Sequence, residues 1–287
     1  MALYSPVRAK DKHDEYMLSK ISKELNMTRI AAKLMLNRGI SSVEDAYYYI
    51  YPNIDHLKNP FDLFDMDKAV HRIKLAIEKG QRITVYGDYD VDGVTASAIL
   101  YLHLSDLGAD VDVYIPHRYS EGYGLNIGAI ERLHATGTDL LITVDCGITS
   151  FDEIDLAQKL GMDVIVTDHH NIDKGLPPAV AIINPKRPEN PDEDELAGVG
   201  VVAKLIHAMG GKEALMSFLD LVAIGTVADI VPLVGDNRIL VALGLKSINT
   251  SPRIGIRALA EVSGLDYRKI KSQNIAFGIA PRLNAAG

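Results

Sequence analysis

From about residue 66 the apolar positions of this chain change period again and again, and each change marks an element. Met66, Ala69, Val70, Ile73 and Ile77 recur at three- and four-residue spacing, which is one face of a helix, and Gly80 closes the stretch. A short uninterrupted apolar run, ITVYG (83–87), follows, then a helical stretch from Val94 to Leu107 ending at Gly108. Four more β-branched runs come after it: VDVYI (111–115), LLITVD (140–145), VIVTD (164–168) and VAIIN (180–184). Helical stretches at about 126–136 and 151–160 separate them, the second opened by Ser150 with Glu153 as a capping box. Strands alternating with helices predict βαβ crossovers, and so an α/β fold with a mostly parallel five-stranded sheet flanked by helices. Sheets of this kind bind ligands beyond the carboxyl ends of their strands.

The flanks read differently. Residues 1–60 are helical with short loops, and Ser41 with Glu44 forms a capping box for a helix running towards Pro52. That helix carries Tyr47, Tyr48, Tyr49 and Tyr51. Tyrosines so placed can stack nucleobases, but docking of the helix end on its own domain accounts for them more simply. Pro185 to Glu195 is a proline- and acid-rich connection with the character of an exposed loop. After it, 197–262 reads almost entirely as helices. The chain therefore divides into an N-terminal helical region (1–60), a parallel α/β core (61–195) and a helical part (196–287).

Composition narrows the function. With 47% hydrophobic and 24% charged residues over 287 positions, the chain is neither disordered nor fibrous. Its formal net charge of −8 shows no global basic excess. The charge is segregated, however: residues 246–287 hold seven basic side chains against two acidic ones, a net +5, leaving −13 on the first 245. A local basic face of this kind can track a phosphate backbone, and equally can be a solvated helix face. The single cysteine, Cys146, excludes an intrachain disulfide framework and fits a reducing compartment. The first twenty residues have no apolar leader, and the most apolar stretch, Leu221 to Gly235, is too short to span a bilayer and carries Asp229. A cytoplasmic protein is expected.

Candidate chemistry collects at the strand ends. Tyr86-Gly87-Asp88-Tyr89-Asp90-Val91-Asp92-Gly93 puts three aspartates at alternate positions directly after an apolar strand. Crowding like charges there is unfavourable unless a cation offsets them. A calcium loop is excluded, because its twelfth position is Ile99 where a bidentate Glu is needed and a strand precedes it. A P-loop is excluded because its glycines and lysine are absent. Capping of the following helix explains Asp92 but not all three. Asp145 ends LLITVD at the same edge of the sheet, and beside it Cys146 reads as a small buried residue. VIVTDHH ends in Asp168-His169-His170, where one imidazole can ligate, one can face substrate, and the carboxylate can fix a tautomer. Asp229 lies within the apolar LVAIGTVADIVPLVG, a costly place for a carboxylate without a partner or metal. Oxygen and nitrogen donors without thiolates suit Mn²⁺ or Mg²⁺ better than structural zinc. Two such cations about 3.5–4 Å apart clamp a phosphorus centre, so the residues argue for metal-dependent phosphoester hydrolysis.

In the order DYDVDG, VDCG, DHH and GTVADIVPL the chain resembles the DHH phosphoesterases, and within them the RecJ branch of single-stranded-DNA-specific exonucleases. Flanking segments IPHRYSEGYGL (115–125), INPKRP (183–188), LAGVGVVAKL (196–205) and FGIAPRLNAAG (277–287) extend the likeness over nearly the whole chain. The resemblance implies that Asp88, Asp90, Asp145, His169 and Asp229 hold two metals, with Asp145 as the bridge. It implies that His170 contacts the scissile phosphate, that Asp168 orients a histidine, and that a water acidified by the cations releases 5′-mononucleotides from the 5′ end during recombination and repair. Arg118 is the candidate for a terminal 5′-phosphate, and Arg282 and Asn284 for backbone phosphates. Single-stranded DNA is the implied partner; a single-strand-binding protein and a helicase are expected from the family alone. Thr84 stands where other DHH branches place a histidine, as in RecJ rather than in the oligonucleotide phosphodiesterases. The segment 189–195 is unusually acidic for a neighbour of DNA, and RecJ-like proteins usually continue past this chain's last residue into further domains, so the chain reads as the N-terminal catalytic portion of a longer protein. A phosphodiesterase of nanoRNA or cyclic dinucleotides and a non-catalytic scaffold on the same fold are the alternatives; the second predicts a lost ligand aspartate, and none is lost.

Overall fold

A computed structural model describes residues 12–191 and 195–285. The first residues of the N-terminal region, 192–194 of the acidic connection and the last two residues of the terminal segment lie outside them. Five strands, β1 (Arg82–Gly87), β2 (Asp110–Tyr114), β3 (Leu140–Val144), β4 (Asp163–Thr167) and β5 (Ala181–Ile183), form one sheet in the order β2-β1-β3-β4-β5. Every pair is parallel. The helices before and between the strands are α1 (Lys12–Glu24), α2 (Arg29–Leu36), α3 (Val43–Ile50), α4 (Met66–Glu78), α5 (Val91–Asp106), α6 (Ile127–Ala135) and α7 (Phe151–Lys159). After β5 come α8 (Gly198–Met216), α9 (Leu219–Ala228), α10 (Gly235–Thr250) and α11 (Ile254–Val262), then α12 (Ser272–Asn274), a π-helical stretch Ile275–Ile279 and α13 (Ala280–Asn284).

The strands β1, β3, β4 and β5 are largely apolar on both sides because both sides are covered, while edge strand β2 alternates and exposes Asp110 and Asp112. Alternate residues of β1, β3 and β4 point to opposite faces. Ile83, Val85, Leu140, Ile142 and Ile165 pack with Ile73, Ile99, Leu104, Val202 and Leu205 from α4, α5 and α8. Tyr86, Leu141, Val164 and Val166 pack on the other side with Ile130, Leu133, Ile154 and Ala157 from α6 and α7. The helices after residue 218 and the π-helical stretch share a third cluster, including Ile224, Val241, Ile256 and Ile275. The N-terminal helices hold a small one of their own, with Leu18, Ile21, Ala32 and Ala46. Among the described residues no helix is long and apolar enough to cross a membrane.

Three local expectations need correction. The cap of α3 is Ser42, whose hydroxyl accepts from the Asp45 N–H, not Ser41 with Glu44. Two adjacent serines each have an acidic residue three positions on, so the motif alone cannot choose between them. Ser150 occupies the position before α7 but makes no side-chain cap bond. Helix α5 begins at Val91 rather than Val94, because Asp90 supplies its cap through the Gly93 N–H. Of the tyrosines near the end of α3, Tyr48 and Tyr49 are half-buried and Tyr47 and Tyr51 are exposed. Tyr48 stacks on His56 at 4.1 Å and bonds Glu44, and the Arg238 guanidinium covers Tyr49.

A buried ion pair ties the segment before α4 to the helices after the sheet. Lys204 Nζ on α8 lies 2.5 Å from Asp236 Oδ2 on α10 and donates to the Lys58 carbonyl at 2.7 Å, with both side chains only 2% exposed. Removing one charge leaves the other stranded in the core. Lys204→Met is expected to cost about 3–5 kcal/mol in urea unfolding, and adding Asp236→Leu to recover part of that loss. A double variant as unstable as the sum of the singles would contradict the pairing.

Candidate metal centre

In chain order the strands step from β1 outward to β2, then back across β1 to β3, so the direction reverses between β1 and β3. At such a reversal the loops diverge and leave a crevice at the carboxyl edge. Register fills it. Gly87 pairs with Val144, and Val144 with Thr167, so the residues that follow, Asp88, Asp145 and Asp168, emerge in one row. Asp145 leaves its strand with φ +61°, a conformation few non-glycine residues adopt. Ile230, directly after Asp229, has φ +63°. Strained backbone of this kind persists where the surrounding structure holds it, commonly at functional sites. Gly93 is required for a different reason: a Cβ there would lie 2.6 Å from the Asp88 carbonyl oxygen, so the turn closes only without one.

Among the described residues the donors converge in three groups, two of which share Asp145. Ligand atoms of Asp88, Asp90 and Asp145 lie within 4.8 Å of one another, as do those of Asp145, His169 and His170. His169 Nε2 is 3.1 Å from Asp145 Oδ1 and its Nδ1 is 3.7 Å from Asp229 Oδ2; ligand atoms of Asp92, His169 and Asp229 form the third group. Asp88 Oδ1, Asp145 Oδ1 and Asp229 Oδ2 are all buried and accept no hydrogen bond. Buried, unpaired carboxylate oxygens are costly, and a divalent cation between them removes the cost. The donor set therefore fits hard, oxygen-preferring cations such as Mn²⁺ or Mg²⁺.

Charge states follow from burial. Desolvation pushes Asp88 and Asp229 up to about 6, with Asp90 adding repulsion to each. Burial and the neighbouring Asp92 raise Asp145 well above the usual carboxylate range. Burial, then the neighbouring His170, lowers His169 to about 4, leaving the neutral imidazole that metal ligation needs. Asp168 behaves otherwise. Burial alone would raise it, but hydrogen bonds from the His170 ring and from backbone N–H groups, including Ile148 at 2.9 Å, hold it below its ordinary value. Its Oδ1 sits 2.7 Å from His170 Nδ1, and that bond raises the His170 pKa. Asp168 thus bonds the ring of His170, and meets His169 through its backbone N–H at 2.7 Å.

The remaining candidates divide. The Arg118 guanidinium stacks at 4.4 Å on Tyr89, which stands between Asp88 and Asp90 in sequence, and lies close enough to Asp88 to oppose its upward shift. Asn284 Oδ1 accepts the Val91 N–H at 3.0 Å and lines a cavity of 90 Å³ with Asp90, Asp92 and Asp229. Arg282 is exposed and bonds the Gly278 carbonyl within its own segment, with no contact to the carboxylates among the described residues. Cys146 is buried, and burial raises its thiol, consistent with a packing role. Sequence reasoning missed two residues. Tyr123 places its hydroxyl 3.3 Å from His170 Nε2 and 3.4 Å from the Asp145 carbonyl. Asp92, read as a possible cap of its own helix, instead reaches α8. No local spacing signals either contact, since both depend on segments that only the fold brings together. A cavity of 840 Å³ between the tyrosine helix and α10 lies elsewhere and is lined by no carboxylates.

The sequence profile described as DHH family, N-terminal domain, matches residues 82–226. The chain is 41% identical over 275 residues to the single-stranded-DNA-specific exonuclease RecJ of Bacillus subtilis (strain 168), covering 96% of this chain and 35% of that protein. The crystal structure of RecJ in complex with Mn²⁺ from Thermus thermophilus is similar at 36% identity and TM-score 0.78, over 95% of this chain and 39% of that one. The Mg²⁺ complex from the same organism is similar at 33% identity and TM-score 0.67, over 95% and 36%. The chain spans between 35% and 39% of the length of these relatives.

A pH signature follows from the raised carboxylates. Their folded-state values exceed the unfolded ones, so without metal their contribution to stability is full below about pH 4 and is lost as pH rises through about 6. Protons and cations compete for the same oxygens. The rise in melting temperature on replacing chelator with Mn²⁺ is therefore expected to be larger at pH 7.5 than at pH 5. An equal or larger rise at pH 5 would contradict the assignment.

Proposed function

The chain belongs to the DHH family, and from that premise we propose that it is the catalytic portion of a RecJ-type exonuclease, which hydrolyses single-stranded DNA from the 5′ end to 5′-mononucleotides in recombination and repair. The observation that carries the proposal is the row of Asp88 and Asp145 across the sheet reversal, with buried oxygens that accept no hydrogen bond. Asp88 and Asp90 would hold one divalent cation, His169 and Asp229 the other, and Asp145 would bridge them. When bound, Mn²⁺ or Mg²⁺ would neutralise charge building on the phosphate and make a water acidic enough to attack it.

The chain's own side chains do the rest. Asp168 fixes the His170 ring, and the same bond favours the charged imidazolium, which can donate to a non-bridging phosphate oxygen. Tyr123, beside His170, restricts where that ring can turn. Arg118, braced on Tyr89, offers a planar fork to a terminal 5′-phosphate. Asn284 spends its oxygen on Val91, so its amide N–H groups are the ones turned to a backbone phosphate, and exposed Arg282 would meet the strand further along. On this reading 1–60 is an accessory helical region, 61–195 the α/β core and 196–287 the helical half of the catalytic domain. The separate apolar cluster of the N-terminal helices supports the first division. The lone buried cysteine supports a cytoplasmic setting, where a single-strand-binding protein and a helicase would be partners.

A long 5′-phosphorylated single strand is expected to release mononucleotides with Mn²⁺ and none with chelator, and Asp145→Ala to abolish release without unfolding the protein. Release that ignores the chelator or the substitution would contradict the proposal, and faster turnover of dinucleotides than of long strands would favour a short-oligonucleotide phosphodiesterase instead. Arg118→Ala is expected to narrow the preference for a 5′-phosphate over a 5′-hydroxyl about tenfold. An unchanged preference would remove Arg118 from that role.

A further inference from the structure

Asp92 is the one carboxylate of the 88–93 segment to which the proposed two-metal site gives no ligand role, although its ligand atom lies within 4.8 Å of those of His169 and Asp229. It lies in the first turn of α5 and is 1% exposed. Its Oδ2 accepts the Gly198 N–H at 2.6 Å and its Oδ1 accepts the Val199 N–H at 2.8 Å. These are the opening residues of α8, where N–H groups have no partner within the helix, and Ala197 before them offers no side-chain cap. The cap comes instead from Asp92, 106 residues earlier, and the positive end of the helix dipole favours a carboxylate there.

What lies beyond that contact gives it meaning. A Cβ on Gly198 would sit 2.5 Å from Asp145 Oδ1 and 2.7 Å from its Cγ, so the bare backbone of α8 is pressed against the shared carboxylate. On its other side Asp92 meets α9: a Cβ on Gly225, one turn before Asp229, would lie 3.0 Å from Asp92 Oδ1. Asp145 itself holds a left-handed conformation that needs external support. We propose that Asp92 is a positioning residue that draws the N-terminus of α8 onto Asp145 and so fixes the shared carboxylate in its ligating orientation. The inference rests on the reading of Asp145 as a metal ligand. The competing role is direct ligation, since Asp92 Oδ2 is 3.9 Å from His169 Nε2. The two short bonds of Asp92 to backbone N–H groups already engage both its oxygens and give it a role without a cation, while the closeness of His169 and Asp229 keeps ligation as the alternative that the experiment decides.

Residue-resolved amide exchange in chelator, paired with Mn²⁺ titration calorimetry, separates these roles. In the wild-type chain the Gly198 and Val199 amides are expected to be protected, which the first turn of a helix otherwise is not. Asp92→Asn turns a donor towards one of them, and at least that amide is expected to lose protection tenfold or more. Mn²⁺ affinity should fall about 10–100-fold with the number of ions bound unchanged. Gly198→Ala leaves Asp92 in place but displaces Asp145, so it should reproduce the loss of affinity, and it keeps the test open if Asp92→Asn does not fold. Loss of one bound ion with protection intact would make Asp92 a ligand. Unchanged affinity in either variant would reduce it to a helix cap. Wild-type protein that takes up no Mn²⁺ would contradict the metal centre itself, and the two failures are told apart because amide exchange needs no metal.

Discussion

Like charges held away from water repel, and this fold gathers Asp88, Asp92, Asp145 and Asp229 into a space where most of their oxygens are buried. Burial raises each of the four, and repulsion from neighbouring aspartates, Asp90 among them in every case, adds to it. A core built for stability alone would not carry such a cluster. The surroundings answer it piece by piece. The start of α8 faces Asp92, Arg118 lies near Asp88, and the charged form of His170 opposes the upward shift of Asp229. The unpaired oxygens of Asp88, Asp145 and Asp229 are what remains, and they point to the place for cations.

The sheet makes that concentration possible. Parallel strands in register deliver their terminal residues to one edge, and the reversal between β1 and β3 opens a crevice where Asp88 and Asp145 stand side by side. The same edge brings Asp168 and the two histidines from β4. Asp229 comes from outside the sheet, at the end of α9, which packs on α5 through Gly225 and Thr95. Rigid elements thus set the donors, while the left-handed backbone at Asp145 and Ile230 aims what the elements alone do not.

Much of this was legible in the sequence because strand ends are. An aspartate closing a β-branched run is visible without a structure, and three such runs with an edge rule predict one site. The parallel sheet and Asp88, Asp145 and Asp168 needed no more than that, whereas Asp229 stood out as a carboxylate in an apolar stretch at the end of α9. Contacts that cross the fold were not legible. Asp92 looked like a cap because it stands beside a helix start, but its acceptors are met by Gly198 and Val199. Tyr123 sat unremarked in a loop until the fold set it against His170. Ser42 displaced Ser41 by a single position, within the margin that two neighbouring serines leave open.

Two cations sharing Asp145 is the claim on which the rest stands, and electron paramagnetic resonance during a Mn²⁺ titration tests it most directly. Two Mn²⁺ per chain with an exchange-coupled signal are expected, and Asp145→Asn should abolish the coupling. A single bound ion, or two ions whose spectra stay uncoupled in the wild-type chain, would contradict a shared carboxylate.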